Sequence, residues 1–381
     1  MVLLFSLLSA LYGALLLWLY VYWSNIPTFA PLSQTSTSAL SAVIIIPVRN
    51  ESVTIQALLR DLARQTDRVG NMLSPEVVVV DDASTDNTAQ LVRDFSETAD
   101  YPIRLLSLEV PAGFSGSHKK LALRQAIDAT QSDIIITTDG DCRVGPYWLF
   151  TVHTLFAQHQ PALVSAPVTF CNEKSLFEQL QTVEFASLIG TGAACLQAGW
   201  PTMCNGANLA FSREAFYSVG GYEGSLHIPS GDDEFLLQKM ARRYPGRLLF
   251  LKQPEATVST TAKESVNAFY QQRKRWASKW KLHNNYWVAA LALFIFSYHL
   301  TVLLAGTLTL LGQYPKQTFF FQLLPKVLLE YIFLKSVLNA MKKPLNFFHF
   351  LLMQLIYAPY AVFFGMRANF GHYTWKNRTY R

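Results

Sequence analysis

The sequence predicts an α/β fold: a mostly parallel sheet with helices on both faces, held to a membrane by apolar helices at the two ends of the chain. Three observations predict it. Short, continuous apolar runs alternate with helical patterns from residue 42 onward. Acidic residues recur at the points where those runs end. Hydrophobic residues make up 51% of the chain and charged residues only 15%, against the roughly 25% charged share usual in soluble domains.

The 381 residues allow one large or two ordinary domains. Charge is placed unevenly. Residues 261–381 hold 15 Lys+Arg against 2 Asp+Glu, whereas the remainder holds 17 against 24. The net charge of +6 therefore gives no sign of nucleic-acid binding. A basic, apolar C-terminal third beside an acidic middle fits a module that faces anionic lipid headgroups. Cys142, Cys171, Cys195 and Cys204 have neither metal-ligand nor disulfide-framework spacing. They read as reduced thiols of a cytosol-facing domain, small core residues in the first instance.

In chain order, residues 1–24 read as a transmembrane anchor. Val2 to Trp23 carries no charge, and as a helix it is roughly 33 Å long, enough to cross a hydrocarbon core. Trp18, Tyr20, Tyr22 and Trp23 crowd its end like an interfacial belt. A basic n-region and a small-residue cleavage site are missing, which argues for a retained anchor over a signal peptide. Residues 25–41, rich in Pro, Ser and Thr, read as a linker.

Ala42-Val-Ile-Ile-Ile-Pro47 is the first buried strand, and Ile55, Leu58, Leu59 and Leu62 give the next helix one apolar face. Val77-Val-Val-Val80 is the second strand, ending in Asp81-Asp82, with Ser84 or Thr85 as cap of the helix that follows. Ile103 to Leu108 is the third strand. A glycine-bearing loop then leads into the basic helix start Lys119-Lys120. Ile134-Ile-Ile-Thr-Thr is the fourth strand and runs into Asp139-Gly-Asp141. This β-α-β-α-β-α-β order predicts a parallel sheet covered on both faces. Beyond it, Leu163 to Val168 reads as a strand and Ser175 to Ala198 as helix. Cys204 to Phe211 reads as a glycine-containing turn into a strand, and Ser212 as a helix cap.

Ligands of open α/β sheets bind beyond the carboxyl ends of the strands. Pro47 to Glu51, Asp81-Asp82 and Asp139-Gly-Asp141 all stand at such ends. Residues two apart on an extended segment point the same way, so Asp139 and Asp141 can face one ligand. A pair of carboxylates suits Mg²⁺ or Mn²⁺, which complete their shells with water and substrate phosphates. A lone Asp-x-Asp also arises by chance in solvated turns; its place in this set is what gives it weight. Asp81 or Asp82 can accept from the N–H groups of a base or from ribose hydroxyls, and Lys119 or Lys120 can offset phosphate charge. Asp232-Asp233-Glu234 opens an amphipathic helix. Complementing the helix dipole needs one acid, not three, so one of the group can serve as a general base.

Residues 263–285 read as a basic, aromatic interfacial helix. Within residues 286–366, the segment 286–311 is uncharged and reads as a span, as does 345–366. The segment 319–340 carries Pro325, Lys326, Glu330 and Lys335, and is open between lying flat, re-entering and packing on protein. The basic tail 367–381 belongs in the cytosol by the positive-inside tendency. Two spans and one non-crossing segment would place it there; three spans would place it outside.

Six motifs in order resemble a membrane-bound family-two glycosyltransferase of the GT-A fold, near the cellulose-synthase-like and ceramide-glucosyltransferase-like branches. The resemblance covers about residues 40–285. It rests on Pro47-Val-Arg-Asn50-Glu51, Val80-Asp81-Asp82-Ala-Ser84-Thr-Asp86, Lys119-Lys-Leu-Ala122-Leu123, Asp139-Gly-Asp141, Gly206-Ala-Asn208 and Gln272-Arg-Lys-Arg275-Trp276. The base motif departs from type: Gly231-Asp232-Asp233 has Asp where Glu is usual.

The resemblance implies an inverting, metal-dependent hexosyl transfer from a nucleotide-sugar, a UDP-sugar, to a lipid-linked or glycan acceptor at a membrane. It makes 42–262 a cytosolic catalytic domain, in a bacterial inner membrane protein. It implies Asp81 or Asp82 at the base, Asp139 at the ribose or sugar, and Asp141 on the Mg²⁺ or Mn²⁺ of the diphosphate. Asp233, before Asp232, is the base; Arg275 stabilises the departing diphosphate; Trp276 walls the acceptor end, with Gln272 at the rim of the site and Gly206 and Asn208 on the acceptor side. A processive polysaccharide synthase, and a membrane-bound nucleotide-sugar binder without chemistry, are the competing readings.

Overall fold

A computed structural model describes residues 2–29, 40–278 and 286–367, and the backbone of two short strands near the C-terminus. Most of the linker, the end of the basic helix with Lys279 and Trp280, and most of the C-terminal tail lie outside the described residues. In chain order the elements are α1 (Val2–Ser24), β1 (Ala42–Val48), α2 (Ile55–Leu62), β2 (Glu76–Asp81), α3 (Thr88–Ser96), β3 (Ile103–Ser107), α4 (His118–Asp128) and β4 (Ile134–Thr137). There follow α5 (Trp148–His159), β5 (Leu163–Ser165), β6 (Val168–Cys171), α6 (Leu176–Gln197), β7 (Leu209–Ser212), α7 (Arg213–Ser218), α8 (Asp232–Arg243), β8 (Leu248–Phe250) and β9 (Val258–Thr261). The chain continues through α9 (Val266–Ser278), α10 (Tyr286–Leu310), α11 (Lys316–Ala340) and α12 (Phe347–Arg367).

The chain divides into two compact units. One is helical and comprises Met1–Asn25, Glu173–Ala194 and Ala262–Arg381; the other comprises Ile26–Asn172 and Cys195–Thr261 and contains the main sheet. The residues 173–194, which the sequence reading places within 42–262, pack with the helical unit.

The sheet has seven strands in the order β3-β2-β1-β4-β7-β5-β8. Val43 to Ile46 and Val77 to Val80 are fully buried, as strands covered on both faces must be. β1 pairs parallel with β2 and with β4. The β4 ladder ends at Ile45 opposite Thr137, so Pro47, which has no N–H to give, falls just past it on that side. β7 pairs antiparallel with β4 and β5, so the sheet is mostly but not wholly parallel. The single strand expected from Leu163 to Val168 is two: β5 in the sheet, and β6 paired with β9. Ala166 and Pro167 break the run between them.

Ser212 caps α7 as expected, accepting the N–H of Ala215. The cap expected of Ser84 or Thr85 lies elsewhere. α3 starts after Asn87, and Asp86 accepts the N–H and hydroxyl of Thr88. Ser84 and Thr85 instead bond Asn50, drawing the β1 and β2 loops together.

In the helical unit, α1, α10 and α12 contain candidate spans, Val2–Ser24, Trp287–Leu310 and Phe347–Arg367, long and apolar enough to cross a membrane. Glu184 on α6 accepts from Arg273 on α9 and from Tyr360 on α12, so one buried carboxylate ties three helices.

Candidate active site

Strand order places a topological switch between β1 and β4: from β1 the chain moves to β2 and β3 on one side, while β4 continues the sheet on the other. Crevices at such points are where open α/β sheets bind ligands. The loops that close β1 and β4 meet there. A Cβ on Gly140 would stand 2.9 Å from Cγ1 of Val48 and 3.2 Å from Cγ of Glu51. Only glycine lets the backbone between Asp139 and Asp141 approach Val48 and Glu51 this closely.

Two further loops complete the edge. Asn50 spends its side chain on the N–H of Thr85 at 2.8 Å, and Glu51 donates its N–H to Thr88 at 2.8 Å. Asn50 and the Glu51 backbone thus build the crevice wall. Asp82 is taken up by His118 at 2.8 Å and by Arg49 at 3.8 Å. Among the described residues, the Asp81 carboxylate accepts the Ser84 N–H at 3.3 Å. Of the two acids left open by the sequence, Asp81 is the less occupied.

The lysines separate cleanly. Lys120 is fully buried; it donates to the carbonyls of Ser225 and Ile228 at 2.8 and 3.1 Å and lies over the Phe235 ring. It clamps the loop before α8. Lys119 points to the acids: its Nζ is 2.7 Å from Asp139 Oδ1 and 3.3 Å from Asp232 Oδ2. Burial works against this ammonium, but the charges of Asp139 and Asp232, with Asp233 beyond, outweigh it and raise its pKa above the ordinary lysine value. One cation therefore joins the acids after β4 to those at the start of α8.

The α8 acids differ in their surroundings. Asp233 is buried; Oδ2 accepts the Gly206 N–H at 3.0 Å and Oδ1 the Glu234 N–H at 2.8 Å. Asp232 lies on the Lys119 side. A Cβ on Gly206 would come within 2.8 Å of its Oδ2, so Gly206 gives the carboxylate room. Thr137 at the end of β4 holds Gly206 from below, donating to its carbonyl at 2.8 Å. Tyr222 is buried beside this group, and burial, then Asp232 and Asp233, push its phenol well up.

Asn208 does not reach the site. It is buried, donates to the carbonyls of Pro167 and Ala256 at 2.7 Å each, and accepts from the Trp148 indole at 3.1 Å. It holds the turn that presents Gly206. Gln272, Arg275 and Trp276 belong to the helical unit, where Trp276 stacks on Phe185 at 5.5 Å and Arg273 lies over its ring. The sequence reading missed Arg49, His118, Thr137 and Tyr222. Two had a trace, since Arg49 lies inside the Pro47–Glu51 stretch and His118 precedes Lys119; the others become visible only through packing.

Asp139 and Asp141 are both partly exposed, and an oxygen-only pair of this kind fits a divalent cation shared with substrate phosphates. Among the described residues, no cluster of three or more His, Cys, Asp or Glu forms a self-sufficient metal cage. Among the described residues the four cysteines form no disulfide.

A sequence profile of Glycosyl transferase family 2 matches residues 43–220, and one of Glycosyl transferase family group 2 matches residues 134–366. The chain is 24% identical over 244 residues to a poly-beta-1,6-N-acetyl-D-glucosamine synthase of Staphylococcus epidermidis, covering 60% of this chain and 52% of that one. It is 26% identical over 242 residues to the enzyme of the same name from Staphylococcus aureus, with the same coverage of 60% and 52%. The chain thus spans about half the length of the curated relatives it matches. Among solved structures, a mannosyltransferase of Pyrobaculum calidifontis in complex with GDP-Man and Mn²⁺ superposes with a TM-score of 0.53 at 22% identity, over 97% of this chain and 96% of that one. With the GT-A sheet, the acid-lined crevice at its switch point and a family profile over most of its length, this chain belongs to Glycosyl transferase family group 2 and is a glycosyltransferase.

Proposed function

We propose that the protein transfers a hexosyl group, with inversion, from a nucleotide-sugar (a UDP-sugar) to a hydroxyl of a lipid-linked or glycan acceptor at a membrane. The observation that carries this reading is the Lys119 ammonium shared by Asp139 and Asp232. It supports a reading in which a donor-side acid and an acceptor-side acid serve one sugar.

Asp81 accepts from the N–H of the base, and Asp139 from the ribose or the sugar. Asp141, with Asp139, would hold Mg²⁺ or Mn²⁺; that ion, when bound, neutralises charge on the leaving diphosphate. Lys119 turns from Asp139 and Asp232 toward the diphosphate as the donor arrives. A carboxylate at the start of α8 then takes the acceptor proton as the acceptor oxygen attacks the anomeric carbon. The motif makes this Asp233. One observation favours Asp232 as a second assignment: both oxygens of Asp233 already accept backbone N–H groups, whereas Asp232 lies on the Lys119 side. The roles of Arg275 at the departing diphosphate, Trp276 at the acceptor end and Gln272 at the rim of the site are proposed on the motif alone. A donor made in the cytosol puts the sheet unit on that side of a bacterial inner membrane.

The test pairs two variants. The expectation is that Asp233→Asn keeps donor affinity by calorimetry while turnover falls on the order of 10²-fold or more, the usual loss for a general base. Full activity in Asp233→Asn with loss in Asp232→Asn would transfer the role to Asp232; full activity in both ends this account of the site. Asp141→Ala is expected to abolish the metal dependence of donor binding, and an unchanged Mn²⁺ titration would refute its role.

The curated relatives favour a second reading of the product, since they are named as polymer synthases. Sizing the product formed from a UDP-sugar separates a single transfer from a polymer.

A further inference from the structure

Gln272 and Trp276 are held within the helical unit by a side chain that lies outside their motif. Phe269, Gln272, Arg273 and Trp276 stand at i, i+3, i+4 and i+7, one face of α9. Phe177, Gln181, Glu184 and Phe185 make the corresponding face of α6. The two faces meet. Phe177 packs edge-on against Phe269 at 5.3 Å, and Phe185 stacks on Trp276 at 5.5 Å. Gln181 accepts the N–H of Lys263, just before α9, at 3.0 Å and donates to its carbonyl at 2.8 Å.

Glu184 is the acidic member of this seam. It is buried, and so is Arg273. Arg273 meets it side-on: Nε donates to Glu184 Oε1 at 3.2 Å, and Nη2 donates to Oε2. Nη1 donates to the side-chain oxygen of Gln272. The guanidinium carbon lies 4.5 Å from the centre of the Phe269 ring and 4.4 Å from that of Trp276. A guanidinium is planar and carries its donors in a fixed fork. Once two of them are committed to one carboxylate, the plane is set. The ring that stacks on it and the amide that accepts from it are then set as well. Glu184 thus acts on Gln272 and Trp276 through Arg273.

The energetics point the same way. A buried ion pair adds little net stability over well-packed apolar residues of similar volume. What it supplies here is direction, since an apolar side chain at position 184 could fill the space but could not orient a guanidinium. The pairing also sorts the cations of the Arg273-Lys274-Arg275 run. The charge of Arg273 is balanced by Glu184, which sets it apart from Arg275.

We propose that Glu184 is a positioning residue for acceptor transfer: through Arg273 it fixes the orientation of Gln272 and Trp276, and it has no part in holding the donor. The inference rests on the reading in which Trp276 walls the acceptor end.

The experiment uses the full-length protein in detergent, labelled with fluorotryptophan and followed by fluorine NMR without substrate. The Trp276 signal is the one lost in Trp276→Phe. It should shift in Glu184→Gln, which keeps the size of the side chain and removes its charge, and in Arg273→Lys, which keeps the charge and removes the fork. Arg273→Lys carries the test should Glu184→Gln fail to fold. Tyr360→Phe is the control. It removes a different hydrogen bond to the same carboxylate, and should lower the unfolding midpoint while the Trp276 signal stays in place. With UDP-sugars supplied one at a time, Glu184→Gln and Arg273→Lys should lose turnover, by about 10²-fold if the acceptor is misplaced by ~1 Å. Calorimetry with UDP and Mn²⁺ should give both variants the affinity of the native chain. In a Trp276→Ala background, Glu184→Gln should cost little more, because residues that act as a unit are not additive. A Trp276 signal unmoved in both variants, or a full further loss of turnover in the Trp276→Ala background, overturns the proposal. Should the native chain turn over no UDP-sugar, the functional reading fails, and the fluorine spectra still decide whether Glu184 orients Trp276.

Discussion

At the scale of single residues, the site depends on who neighbours whom among like-charged groups. The motif letters mark Lys119 and Lys120 equally, yet one faces Asp139 and Asp232 and the other is buried under a loop. Lys120→Met is expected to cost about 1–3 kcal/mol, because two buried carbonyls lose their donor. Thermal unfolding should show a lower midpoint for it, while donor affinity at temperatures where it is folded stays near that of the native chain. Gly206 has a distinct role. In Gly206→Ala the new methyl would lie 2.8 Å from the Asp232 carboxylate, so the carboxylate must shift, and a misplacement of about 1 Å costs turnover about 10²-fold. Donor binding by calorimetry and turnover of the same preparation check this, with affinity retained and rate lost. Asn208 shows the limit of motif reading. Its letter matches an acceptor-side position, but its amide is consumed by Pro167, Ala256 and Trp148.

At the scale of elements, the strands were legible because runs such as Val77 to Val80 admit little but a buried strand. The break at Ala166–Pro167 and the antiparallel insertion of β7 were not, since a three- or four-residue strand has no periodicity to read. Helix boundaries depended on loop chemistry: Asp86, not Ser84 or Thr85, serves the start of α3. Among helices, the Glu184–Arg273 pair carries a prediction. Both groups are buried, and stranding one of them costs about 3–5 kcal/mol. Arg273→Met should therefore lower the unfolding midpoint of the detergent-solubilised protein, and Arg273→Met with Glu184→Leu should recover part of the loss. No recovery would mean that the pair matters through packing alone.

At the scale of the whole molecule, the chain combines a soluble-type α/β unit with a helical unit, and the two are interleaved in sequence through Glu173–Ala194. If the cation at Asp139 and Asp141 is required, chelation should abolish transfer by membranes containing the protein. Added Mn²⁺ or Mg²⁺ should then restore it; activity that survives exhaustive chelation would remove the metal from the scheme. The same membranes, given UDP-sugars one at a time, identify the donor.

From its letters alone this protein was determined to be a glycosyltransferase-like α/β domain with apolar helices before and after it. Hydrophobic runs and clustered acids are local properties, written in consecutive residues. Which of Asp81 and Asp82 is the less occupied, and which lysine faces Asp139 and Asp232, were settled only when distant segments met, because both are questions of contact. The same holds for the charged segment 319–340, where Lys326 pairs with Glu330 and Glu330 accepts from Tyr12 of α1. Burial and pairing can reverse what a residue's own polarity suggests.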